Sequence, residues 1–116
     1  MKQTKVLGAL FALALMGSTV AAMADMIADS KGMTLYTFDK DASGVSACYD
    51  DCATKWPPYL GKVADKMTKG WTLVDRKDGA KQWAYDAKPV YYFAGDKAKG
   101  DMKGDGLGGV WHVIKE

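Results

Sequence analysis

Of the 14 acidic residues in this chain, 13 are Asp, and the only Glu is the terminal Glu116. Asp competes with the helical backbone for local hydrogen bonds and favours caps and turns, whereas Glu suits helix faces. The usage therefore leans toward short strands joined by tight turns. Met26 to Asp29, Ser30-Lys31-Gly32 and Met33 to Phe38 read as a first hairpin. Trp71 to Asp75 and Gln82 to Tyr85 are strand runs joined through Asp78-Gly79, a strong hairpin signal. Asp86 to Pro89 turns the chain into Val90 to Phe93, and a Gly/Asp/Lys loop from Gly95 to Gly109 leads to a last strand, Val110 to Ile114. One helix is expected over Ala47–Lys55, with Ser46 as N-cap, Asp50 and Asp51 toward its positive end, Lys55 at its negative end and Pro57-Pro58 stopping it. The expected fold class is mostly β (α+β): a small antiparallel meander of about six short strands with one short helix.

The N-terminus has the order of an export signal. Lys2 and Lys5 precede the apolar run Val6 to Met16, and Ala22-Met23-Ala24 fits the small-x-small cleavage rule. The run is short for a membrane span of roughly 20 residues. Residues 1–24 are expected to be a cleaved secretory signal, leaving residues 25–116 as one exported domain, periplasmic or secreted. No Cys lies in the first 47 residues, so no lipid anchor is expected, and no transmembrane span. Of 16 basic residues, two lie in the signal; the remaining 14 balance the 14 acids. A neutral domain is a poor nucleic-acid binder, because that affinity rests on neutralised phosphates. A domain of 92 residues buries a modest fraction of its surface, and 12 aromatics help to make a small core sufficient.

The chain repeats itself. Leu35-Tyr36-Thr37-Phe38-Asp39-Lys40-Asp41 aligns with Val90-Tyr91-Tyr92-Phe93-Ala94-Gly95-Asp96 at a spacing of 55, each an aliphatic residue followed by Tyr-x-Phe-x-x-Asp. Tyr and Phe two apart share a strand face, and the Asp can bond the backbone of the turn that ends the strand. Tyr36, Phe38, Asp41, Tyr91, Phe93 and Asp96 thus mark either an aromatic core face with capped turns or a converging hydrogen-bonded or electron-relay site. With these motifs the sequence resembles the bacterial exported family described as predicted lipoproteins with a conserved Yx(FWY)xxD motif, also called a secreted repeat of unknown function. The resemblance continues through Cys48-x-x-x-Cys52-Ala53, Trp56-Pro57-Pro58, Asp78-Gly79, Gln82-Trp83-Ala84-Tyr85, Gly104-x-Gly106, Gly108-Gly109 and Trp111-His112. It implies an exported repeat domain without an agreed activity. The missing lipidation Cys departs from the lipoprotein label.

Cys48 and Cys52 are the sharpest chemical feature. An even pair in an exported chain favours a disulfide, although residues four apart on a regular helix hold their Cβ atoms about 5–6 Å apart against the 3.5–4.5 Å or so that a disulfide wants. Such a bond needs a distorted turn, and its small loop yields about 2 kcal/mol. A redox-active dithiol and a metal site completed by His112 and an Asp are the alternatives. His112 shares a strand face with Val110 and Ile114, which reads as a packed, hydrogen-bonded core histidine. Asp96, Asp101 and Asp105 lie on a turn-rich loop that lacks EF-hand spacing and carries opposing lysines. Trp56-Pro57-Pro58-Tyr59 either ends the helix and packs Trp56 inward or offers a surface to a partner. With one His and no nucleophile motif, no catalytic residue is recognised, and neither a cofactor nor a metal is expected. The expected role is a non-enzymatic extracytoplasmic module for an unknown envelope protein or small ligand; the alternative is an envelope redox or metal-handling protein using Cys48 and Cys52.

Overall fold

The computed structural model describes residues 26–63, 65 and 68–115; the expected export signal and its expected cleavage after Ala24 lie outside them. Six antiparallel strands form one sheet: β1 Tyr36–Phe38, β2 Leu60–Gly61, β3 Trp71–Asp75, β4 Lys81–Tyr85, β5 Lys88–Tyr91 and β6 Trp111–Val113. One short helix, α1 Asp51–Lys55, and a 3-10 turn at Leu107–Gly109 complete the described elements. The mostly β fold class is as expected. β3, β4 and β5 follow one another as a meander, whereas β1 inserts between β5 and β6. β4 pairs β3 along its full length, and shares its remaining partners between β2 at Lys81 and Gln82 and β5 at Ala84 and Tyr85.

Turn chemistry explains the hairpins. Gly79, at φ 89°, lets Arg76 N–H close on the Ala80 carbonyl at 2.9 Å across the Asp78-Gly79 turn. Asp86 and Ala87 form the two-residue β4–β5 connection with φ of 49° and 68°, the handedness that matches strand twist. The first hairpin is reduced to a bridge between Ala28 and Thr34, closed by an Asp29 carboxylate that accepts the Lys31 and Met33 N–H groups.

Several boundaries differ from expectation, with β1 opening at Tyr36 rather than Met33, β5 ending at Tyr91 rather than Phe93 and β6 covering Trp111–Val113 rather than Val110–Ile114. β2 was not anticipated, since two residues carry no periodicity. β5 starts at Lys88 rather than Val90, because the Asp86-Ala87 turn is tighter than four residues. The helix starts at Asp51, not Ala47: Asp50 has φ 54° and makes no side-chain cap bond. Ser46 is not an N-cap; it is buried and bonded to the Tyr91 hydroxyl and Arg76.

Alternation along the strands sends the core to both faces of the β5–β1–β6 part of the sheet. Tyr36, Tyr91, Trp111 and Val113 join Cys48 and Trp56 in one cluster; Leu35, Val90, Ile114 and Ile27 form the other. Ala87 carries a side chain in a left-handed conformation that suits Gly. Ala87→Gly is expected to stabilise the fold by about 0.5–1 kcal/mol, the relieved strain less the added unfolded-chain freedom. A denaturant midpoint that falls would show that the Ala87 methyl group has packing worth more than its strain.

Candidate functional site

The two Tyr-x-Phe-x-x-Asp motifs meet. β1 and β5 place Tyr36 directly opposite Tyr91, and each phenol reaches across to the acid of the other motif. Tyr36 donates to Asp96 Oδ2 at 2.6 Å, and Tyr91 donates to Asp41 Oδ2 at 2.7 Å. The second oxygen of each carboxylate accepts a loop N–H: Asp41 Oδ1 from Ala47 at 2.7 Å, Asp96 Oδ1 from Lys103 at 2.9 Å. Tyr36 Oη also accepts the Gly104 N–H at 3.2 Å, and Tyr91 Oη lies 2.5 Å from Ser46 Oγ. Burial, reinforced by Asp96, holds the Tyr36 phenol far above its ordinary value of 10.0. Burial raises Tyr91 as well, with Ser46 opposing and Asp41 adding to the rise. Asp41 itself is raised, because burial outweighs its bonds to Tyr91 and Ala47 and the nearby Arg76 charge.

The aromatic rings obey the same exchange. Trp56 and Trp111, also 55 residues apart, stack face to face at 3.8 Å with planes 2° apart. Phe38 stacks on Trp111 at 4.1 Å and Phe93 packs on Trp56 at 4.4 Å, so four rings form one pile. Tyr36 meets Trp56 edge-on at 5.3 Å, and Tyr91 meets Trp111 at the same 5.3 Å. Even the backbone repeats: Asp39 N–H bonds the Val110 carbonyl and Ala94 N–H the Lys55 carbonyl, both at 2.8 Å. Trp56 therefore packs inward. Gly104 has to be Gly, since a Cβ there would lie 2.5 Å from the Trp56 ring.

Cys48 and Cys52 form a disulfide, with Cys48 fully buried and Cys52 partly buried. The structure does not add His112 to them. His112 shares its face with the buried Ile114, but its side chain is 45% exposed and its Nε2 pairs with Asp39 Oδ2 at 2.8 Å. The histidine is hydrogen-bonded as expected, but the expectation that it packs in the core is corrected, because its side chain stays half-exposed beside Asp39. Among the described residues no group of three His, Cys, Asp or Glu side chains is placed to hold a metal ion. The loop acids serve the backbone, Asp101 accepting from Lys97 and Ala98, and Asp105 from Val113.

Sequence reasoning missed Arg76, the Trp56/Trp111 pairing and an outer aromatic cleft. Arg76 is 4% exposed and donates to Ser46 Oγ, Gln82 Oε1 and the Cys48 carbonyl, with Tyr49 stacked on its guanidinium. Only the common spacing of 55 pointed to the Trp pair, and nothing local marked the arginine. The cleft is formed by Tyr59, Trp71 and Trp83, with Trp71 set perpendicular to both neighbours. Asp29, Ser30 and Thr68 share its walls, and it runs as depressions of about 240 and 460 Å³ past Trp71 toward Tyr85 and Met26. Burial pushes Asp29 up, but the Tyr92 hydroxyl and the Met33 and Lys31 N–H groups outweigh it and leave the acid lowered.

A family model described as a secreted repeat of unknown function matches the chain twice, over residues 18–59 and 69–115. The chain belongs to this family. Its two copies are the halves that exchange tyrosines, acids and tryptophans across the pseudo-symmetric interface. Searches among curated proteins and among solved structures returned no match.

Crossed pairing has a thermodynamic signature. A double-mutant cycle on Tyr36→Phe and Asp96→Asn should give a coupling of about 1–3 kcal/mol, as should Tyr91→Phe with Asp41→Asn. Tyr36 with Asp41, in the same motif, should give a markedly smaller coupling; equal values would contradict the exchange. The phenols also predict alkaline lability. With folded values raised above 10.0 for Tyr36, Tyr91 and Tyr92, the unfolded chain ionises first. Stability is then full below pH 10 and falls as pH rises beyond it. Urea midpoints measured from pH 9 to 12 should drop, and drop less steeply in Tyr36→Phe; parallel slopes would remove the phenols as the cause.

Proposed function

We propose that this secreted repeat protein is a non-enzymatic extracytoplasmic module, exported by cleavage after Ala24, that binds an envelope partner or small ligand through the cleft at Tyr59, Trp71 and Trp83. The observation that carries this reading is the division of the aromatic residues. Tyr36, Tyr91, Trp56 and Trp111 are buried against one another, so this part of the aromatic set is spent on the fold. Tyr59, Trp71 and Tyr85 instead stay partly exposed around a concavity whose rim carries Asp29, Ser30 and Thr68. Aromatic faces with a few fixed polar groups are the usual make-up of a binding cleft. They suit a ligand with a flat apolar face and hydroxyl or amide groups at its edge.

The test is an NMR titration of the mature protein with a panel of neutral oligosaccharides and short aromatic-bearing peptides. A binder should shift the Trp71 and Trp83 indole N–H resonances saturably, and Trp71→Ala should weaken it by ten-fold or so, about 1.4 kcal/mol. Cys48→Ser with Cys52→Ser should leave that affinity in place. A ligand whose shifts map away from Trp71, or whose affinity survives Trp71→Ala, would relocate the site and end this proposal.

A further inference from the structure

The two copies differ at one point of chemistry. In the first, Asp41 accepts the Ala47 N–H and the next residue, Cys48, is buried. In the second, Asp96 accepts the Lys103 N–H and the next residue is the buried Gly104. The second copy builds the same phenol–carboxylate bond and proceeds to its helical turn at Leu107–Gly109 with no crosslink. The architecture of the repeat therefore does not require the disulfide of the first copy.

That disulfide also excludes an alternative local structure. Ser46 to Lys55 carries the cap, acidic first turn and basic last turn of a helix starting at Ala47. A bond between Cys48 and Cys52 is incompatible with a regular helix through both, because their Cβ atoms would stand too far apart. In the structure the helix waits until Asp51, and Asp50, between the cysteines, is held at φ 54°, a conformation unfavourable for a residue with a Cβ. The displaced segment is wired to the core: Ser46 Oγ and the Cys48 carbonyl accept from Arg76 at 3.2 and 3.1 Å, and Ser46 contacts the Tyr91 hydroxyl.

We propose that Cys48 and Cys52 are a thiol–disulfide exchange site, reduced by a dithiol of the cell envelope, and that reduction lets residues 47–50 join the helix at Asp51–Lys55. The incoming thiolate attacks the sulfur of Cys52, the less buried residue of the pair; the Cys52–Cys48 bond breaks, and Cys48 leaves as a thiolate that takes up a proton. The second thiol of the reductant then attacks the mixed disulfide, freeing Cys52 and closing the reductant's own disulfide. Two electrons and two protons have passed to the pair. Helix extension withdraws Ser46 and the Cys48 carbonyl from Arg76 and from Tyr91. The change is thereby passed to Asp41 and the groove lined by Asp41, Ala42 and Ser43. Asp50 and Asp51 are exposed and immediately precede Cys52 in the chain, so neutral dithiols are preferred over anionic thiols.

Envelope-purified protein, its intact mass checked for a start at Asp25, is incubated with dithiothreitol or glutathione, alkylated, weighed and followed by NMR. The expected result is two thiols modified under native conditions, a retained near-UV signal from the stacked tryptophans and helical Cα shifts at Ala47 to Asp50. At low salt, glutathione should react several-fold more slowly, with the gap narrowing in Asp50→Asn/Asp51→Asn. Cys48→Ala/Cys52→Ala should reproduce the reduced spectrum. Alkylation only in denaturant, loss of the near-UV signal on reduction, or unchanged shifts at Ala47 to Asp50 would each overturn the proposal, leaving the crosslink a staple.

Discussion

The fold depends on two buried phenol–carboxylate bonds that neither copy of the repeat can make alone. Tyr36 and Tyr91 are fully buried and Asp96 is 7% exposed; leaving any of these polar groups without a partner would cost several kcal/mol. Each phenol finds its acceptor only in the other copy, so the burial of one half is conditional on the arrival of the other. This couples the register of β1 against β5 to the positions of the two loops that follow them, which carry Asp41 and Asp96. A one-residue slip would leave the two tyrosines on opposite faces of the sheet and break the crossed bonds to their acids.

The aromatic pile follows from the same exchange. Once Tyr36 and Tyr91 stand opposite each other, Trp56 and Trp111 arrive from the ends of the two copies and have only each other's faces to cover. Phe38 and Phe93 then close the pile at either end. Large rings supply apolar area that a domain of this length could not assemble from aliphatic side chains. The cost appears in the backbone: Gly104 must pass beneath Trp56 with no side chain, while Cys48, at the corresponding place, fills the space and ties it down.

What could be read from the sequence is what is decided locally. Trp71–Asp75 and the Asp78-Gly79 turn were legible because period and turn chemistry agree within a few residues. The spacing of 55 revealed the copies but not that their tyrosines and acids cross, since nothing within one motif says which carboxylate a phenol will meet. The helix start failed for a tertiary reason: Ser46 is a good cap in isolation, yet Tyr91 and the buried Arg76 claim its hydroxyl. His112 was misjudged because alternation gives a face and not the extent of the cover over it. Arg76 left no sequence trace, because a buried cation is recognised by its partners and these come from residues 46, 48, 78 and 82.

The phenols and carboxylates that define the family motif are all bonded within the protein. A motif of this kind specifies a fold and leaves the choice of partner to other positions. Two features stand outside that requirement. The Trp71 cleft is built on β3 and β4, the part of the sheet with no counterpart in the crossed exchange, and the Cys48–Cys52 bond lies in one copy where the other manages with Gly. The first is a surface that the core does not consume, and the second sits one residue from the bonds that hold the copies together. The loop that carries it touches Tyr91 through the Ser46 hydroxyl and Arg76 through the Cys48 carbonyl, so a change of oxidation state there acts directly on groups that hold the interface between the repeats.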